Sequence, residues 1–141
     1  MIRTASAVWS GTLKEGKGFI STQSKALSNN PYGFNTRFED QPGTNPEELI
    51  GAAHAGCYTM ALAARLTEMN FTIEELKTGA DVTLEQAGKE FIITAVKLKL
   101  SAKIPGIEKT EFEKIANEVK ETCPVSKVLN ADITLDVKLE G

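Results

Sequence analysis

From Val96 to Ile104 every second residue is apolar: Val96, Leu98, Leu100, Ala102 and Ile104, with Lys97, Lys99, Ser101 and Lys103 between them. A period of two assigns one set to each face of a strand. The preceding stretch TGADVTLEQAG is expected to fold back on it as a hairpin turning near Ala87-Gly88. Carried upstream, the same period puts Phe91 and Ile93 on the lysine face, so this part of the sheet is expected to be covered on both sides. A second alternation, Ile133, Leu135, Val137 and Leu139, closes the chain as a strand. Near the start, ASAVWSGTLKEG and GKGFISTQS read as two short strands turning at Gly16, with Val8, Phe19 and Ile20 as β-formers.

The period changes to helical in two places. Asn45 is a cap, Pro46 suits a first helical position, and Glu48 follows Asn45 by three, which predicts a helix from about Pro46 to Met69 that stops near Asn70. Its middle is small: Gly51, Ala52, Ala53, Ala55, Gly56, Ala61, Ala63 and Ala64. Glycine costs about 1 kcal/mol against alanine inside a helix, so two of them imply close packing against another backbone or a kink. The second helix, TEFEKIANEVKETC, is expected to be capped by Thr110 with Glu113. It carries Phe112, Ile115, Ala116, Val119 and Cys123 on its inner side, and Pro124 stops it. VSKVLN continues as a short helix. Between the first strands and the long helix, NNPYGFNTRFEDQPGTNP reads as an irregular connection whose aromatics pack against something.

These elements make one α+β domain of 141 residues, 1–141, long enough for a core without disulfide staples. A net charge of −3 with interspersed signs gives no footprint for nucleic acid. No apolar run is long enough for a membrane span, and the N-terminal residues lack the apolar region of a signal peptide. The default compartment is the cytoplasm, where a disulfide is more often catalytic than structural.

That context bears on the two cysteines, Cys57 and Cys123, 66 residues apart. Buried cysteines often only pack, and from spacing alone unrelated cysteines stand level with a working pair. A reactive thiol needs a lowered pKa, hence a cation or a helix N-terminus. Cys57 lies too deep in its helix to rely on the macrodipole, and Arg37 is an available cation. His54, three before Cys57, permits a Cys–His nucleophile pair for acyl transfer, although packing is its blander role. One histidine and two distant cysteines show no zinc spacing, so no metal is expected. GKGF lacks the ending of a phosphate loop.

Three stretches, NPYGFNTRFED, GTNPEELIGAAHAGCYTMAL and CPVSKVLNADITLD, resemble the osmotically inducible protein C (OsmC) and organic hydroperoxide resistance (Ohr) family, nearer the OsmC branch. Gly56 stands where the family has alanine. The resemblance implies an α/β intertwined homodimer with long central helices wrapped by antiparallel-rich sheets and with sites at the subunit interface. It implies a thiol peroxidase that reduces organic hydroperoxides in oxidative or osmotic stress, with Cys57 peroxidatic, Cys123 resolving, Arg37 stabilising thiolate and peroxide, and Glu47 orienting Arg37. No cofactor is implied. The reductant would be an external dithiol, and a lipoylated protein is a candidate. Tyr32, Phe34, Leu49 and Ile50 are the expected apolar wall for the peroxide. A helix places Glu47 about 15 Å along its axis from Cys57, so a break or kink is expected around Gly51 to His54. The rival readings are a thiol redox sensor or small-molecule binder without turnover, and the Cys57–His54 acyl-transfer enzyme.

Overall fold

A computed structural model describes residues 1–141. The chain divides into two compact units, Met1–Leu49 and Ile50–Gly141.

The first unit is a three-stranded antiparallel sheet in the order β1 (Ala5–Ser10), β2 (Lys17–Thr22), β3 (Asn30–Tyr32), followed by a five-residue helix α1 (Phe34–Phe38). The expected first two strands are present, with Trp9 opposite Gly18. Strand β3 and helix α1 correct the expected irregular connection. Pro31 cannot donate a ladder bond, but at a sheet edge none is required, and its carbonyl accepts the Thr44 N–H at 2.8 Å. The Gly33 N–H donates to the Thr36 hydroxyl at 2.8 Å, which fixes the turn into α1. A helix this short takes its stability from such local bonds rather than from residue propensity, which is why periodicity did not reveal it.

Helix α2 (Pro46–Glu68) starts as expected, with the Glu48 N–H donating to the Asn45 side chain at 2.8 Å. It stops where Asn70 adopts a positive φ of 65°. No break interrupts it. Its glycines do other work. A Cβ on buried Gly51 would stand 3.3 Å from the Val82 side chain, so this glycine lets the helix approach the sheet closely, whereas a Cβ on Gly56 would meet nothing within 4 Å.

The rest of the second unit is β4 (Glu75–Ala87), β5 (Glu90–Lys103), α3 (Lys109–Thr122), α4 (Pro124–Val128) and β6 (Asp132–Glu140). β4 and β5 form the expected antiparallel hairpin, and β6 returns through α3 and α4 to pair parallel with β5. A register shift corrects the expected faces near the hairpin tip. Thr83 pairs with Ala95 but Leu84 pairs with Ile93, so Thr94 is an extra residue on β5. One extra residue reverses side-chain parity. Phe91 and Ile93 therefore join the face of Val96 and Leu98, not the lysine face. That lysine face carries cross-strand ion pairs, including Lys97–Asp136 at 3.1 Å and Lys99–Asp81 at 2.9 Å. α3 also begins earlier than expected. The Phe112 N–H already bonds the Glu108 carbonyl, and Glu108, not Thr110, is the cap.

The core is confined to the second unit. Tyr58, Leu62 and Leu66 of α2 pack with Val96, Leu98 and Leu100 of β5 and Phe112, Ile115 and Val119 of α3. Each fully buried side chain of this size contributes about 1.5–3 kcal/mol. No helix is long and apolar enough to cross a membrane.

Candidate active site

In the second unit the buried stripe of α2 is Gly51, His54, Tyr58, Leu62 and Leu66, spaced three or four apart as one helix face demands. Cys57 flanks that stripe and is half-buried. Cys123 is fully buried and lies between two helices rather than on one. Pro124 opens α4 and holds Cys123 in an extended conformation, φ −58° and ψ 127°. The Cys123 N–H still donates to the Val119 carbonyl at 2.9 Å, and its own carbonyl accepts the Lys127 N–H at 3.1 Å.

The fold brings these two thiols together, and both are free. Burial raises the Cys57 pKa above its ordinary value, a hydrogen bond from the Val125 backbone opposes this, and the Cys123 thiol raises it further. Each influence comes from within the second unit. Beside the pair, the Tyr58 hydroxyl donates to the Ala116 carbonyl at 2.9 Å. Burial, then Cys123, pushes its ionisation upward.

His54 is completely buried, and its Nε2 lies 2.7 Å from the Ser126 hydroxyl. Nδ1 has no partner. Burial lowers the pKa of this histidine, which favours the neutral ring. The ring is thus engaged with serine instead of the Cys57 sulfur. Sequence reasoning did not find Ser126. The available signal was its spacing: Ser126 follows Cys123 by three, as His54 precedes Cys57 by three.

The first unit holds the charged pair. Arg37, in the last turn of α1, donates from Nη2 to Glu47 Oε1 at 2.7 Å and from Nε to the same oxygen at 3.0 Å. Two donors on one carboxylate fix the guanidinium plane as well as its position. The guanidinium also lies over the Phe38 ring, 5.3 Å from its centroid, and Phe38 packs on Phe34 at 5.1 Å. Beside Arg37 is an apolar cavity of about 270 Å³ whose lining includes Trp9, Leu13, Tyr32, Phe34 and Phe38. Gly18 makes its wall possible, because a Cβ there would come within 2.6 Å of both Trp9 and Tyr32. Of the expected peroxide-binding residues, Tyr32 and Phe34 line this cavity. Leu49 and Ile50 are half-buried on α2 and are not among its lining residues. Trp9, Leu13 and Phe38 were missed, because nothing in their spacing marks them as neighbours.

No group of three or more His, Cys, Asp or Glu side chains is placed to hold a metal ion.

The family model for OsmC-like protein matches residues 38–138. The chain belongs to the OsmC-like family. It is 51% identical to the Escherichia coli (strain K12) protein named peroxiredoxin OsmC, over 96% of this chain and 94% of that one. It is 32% identical to the Bacillus subtilis (strain 168) organic hydroperoxide resistance protein OhrB, over 75% of each. The crystal structure of OhrB from B. subtilis superposes with a TM-score of 0.70 at 26% identity, covering 96% of this chain and 98% of that one. The greater likeness is therefore to the OsmC branch, and the mixed α/β fold is that of OsmC and Ohr proteins.

Proposed function

We propose that this OsmC-like protein is a cysteine peroxidase that detoxifies organic hydroperoxides in stress defence. The observation that carries the reading is the contact between Cys57 and Cys123 at a pinned helix junction. The relatives named for peroxiredoxin activity and organic hydroperoxide resistance supply the direction.

The chemistry starts with Cys57 as thiolate. Its sulfur attacks the distal oxygen of ROOH, the O–O bond breaks, and RO⁻ takes a proton and leaves as alcohol. Cys57 is now a sulfenic acid. Cys123 loses its proton and attacks the Cys57 sulfur. The S–S bond forms, the S–O bond breaks, and hydroxide leaves with a proton as water. An external dithiol, with a lipoylated protein as candidate, returns two electrons by exchange through a mixed disulfide. No step calls for a metal or organic cofactor.

Burial and Cys123 act against ionising Cys57, so a cation must compensate. Arg37 is assigned that role, with Glu47 orienting it and the aromatic cavity taking the alkyl or aryl group of the peroxide. A guanidinium can also bond the peroxide and stabilise charge developing on the leaving oxygen. The unbroken α2 sets Glu47 about 15 Å along its axis from Cys57. We therefore assign the compensating Arg37 to a second copy of the chain, so that the homodimer completes two sites. The exposed face of α2, with Ala52, Ala53, Gly56 and Met60, offers a close-packing surface for that copy.

The test is consumption of cumene hydroperoxide with dithiothreitol or a monothiol as reductant, combined with light scattering. The expected results are a dimer, turnover with the dithiol, and complete loss of turnover in Cys57→Ser. Turnover that survives this substitution rules the mechanism out. Disulfide formation without turnover favours the redox-sensor reading. The acyl-transfer reading loses its main support, because His54 bonds Ser126.

A further inference from the structure

Helix α4 is the least anchored element near the thiols. It has five residues and buries none of them. Yet it carries Val125, whose backbone bonds Cys57, and it begins directly after Cys123. Its side-chain hydrogen bond to another element is the 2.7 Å contact between Ser126 and His54. The histidine end is rigid, being fully buried on α2 one turn before Cys57. Next to Cys57 in sequence, Tyr58 donates to the Ala116 carbonyl in the middle of α3 at 2.9 Å. Two hydrogen bonds thus tie the Cys57 stretch of α2 to the chain on either side of Cys123, one to the middle of α3 and one, His54–Ser126, to α4 itself.

We infer that the His54–Ser126 hydrogen bond is a positioning clamp for the resolving step, holding the Cys123 junction against Cys57 so that the sulfenic acid closes to a disulfide before it is oxidised further. This deepens the peroxidase reading and rests on it. The geometry makes resolution the sensitive step. A disulfide requires Cα atoms within about 7 Å and a narrow torsion range, so a loosened corner lowers the effective concentration of the Cys123 sulfur. Peroxide attack needs only Cys57 and its cation. The bond engages one ring nitrogen of a buried histidine whose other nitrogen, Nδ1, has no partner. Losing such an orphan in favour of an apolar side chain would be tolerated by a core, whereas here the ring is present and links the Cys57-bearing helix to the helix that starts directly after Cys123.

The test compares wild type, Ser126→Ala and Ser126→Thr, since threonine keeps the hydroxyl. Ser126 is half-buried, and circular dichroism checks that each variant is folded. Two measurements are made: the equilibrium of the Cys57–Cys123 pair in dithiothreitol redox buffers after oxidation by diamide, and rapid-quench mass spectrometry after cumene hydroperoxide with dimedone trapping. For Ser126→Ala we expect about a tenfold weaker disulfide, because an unclamped corner lowers the effective concentration of the Cys123 sulfur, and tenfold equals a shift of about 30 mV toward less negative potential. Disulfide closure should slow by a similar factor while sulfenic acid accumulates, with its formation rate changed much less. Ser126→Thr should restore both. An Ala variant with wild-type potential and closure rate overturns the clamp, as does equal slowing of both steps. Wild type that forms no disulfide even with diamide overturns both readings. Disulfide with diamide but not with hydroperoxide overturns only the peroxidase, and the potential shift then judges the clamp.

Discussion

The two units of this chain are built on opposite plans. Residues 50–141 enclose a core, and every buried apolar side chain of the molecule lies there. Residues 1–49 bury no apolar side chain, and leave Val8 and Leu13 at 62% and 68% exposure. About 49 residues without a core fall well short of what a free-standing domain needs. The difference separates two kinds of preparation. The thiols sit in a scaffold that is already finished. The Arg37–Glu47 pair sits in a unit whose aromatic and aliphatic side chains are left largely uncovered within that unit, which is what the proposed second copy would supply.

The comparison can be attacked at each end. The largest effect is expected in the packed unit: Phe112→Ala, at a fully buried site, should cost about 3–5 kcal/mol in urea unfolding. A smaller loss would mean that the core is less continuous than described. Next, Arg37→Met should reduce kcat/KM for cumene hydroperoxide by about 100-fold and slow iodoacetamide labelling of Cys57 at neutral pH. Unfolding of the cysteine unit should be left nearly unchanged. If stability falls instead, Arg37 is structural and its charge is incidental. Leu13→Ala should then raise KM for cumene hydroperoxide by about tenfold, the low end for lost contact with an apolar wall, with little effect on hydrogen peroxide. Equal effects on both would remove the cavity from the substrate path.

The smallest effect concerns pH. Burial depresses the His54 pKa, so as pH falls the unfolded chain takes up that proton before the folded one does. Stability linked to this group is fully present above the unfolded value of about 6.5. It declines as pH falls from there through the folded pKa. Urea midpoints at pH 7.5 and 5.5 should therefore separate more in wild type than in His54→Gln. An identical pH response would mean that the ring is not buried as described.

How legible this was in the sequence depended on whether an element's stability is written in its own residues. The Val96–Ile104 alternation and the Phe112–Val119 stripe were legible because burial leaves a period. Thr94 was not, because a bulge is a property of two strands in register and reverses parity without any local signal. The Arg37–Glu47 pair and the pairing of the two cysteines came from resemblance to a family, since spacing alone left the cysteines' relation open. Gly51 and Gly56 look alike in sequence and suggested a break. Only the sheet behind α2 distinguishes them, by filling the space beside one and leaving the other bare. Ser126 went unseen because its partner lies 72 residues away.

The junction at Cys123 has one more consequence. Its amide and carbonyl are both engaged by neighbouring turns, so exchanging a thiol for a disulfide asks for rotation of a side chain and leaves the polypeptide path in place. Repeated catalytic cycles would then run without melting any helix, and oxidised and reduced protein should give nearly superimposable far-ultraviolet spectra while differing in thiol count.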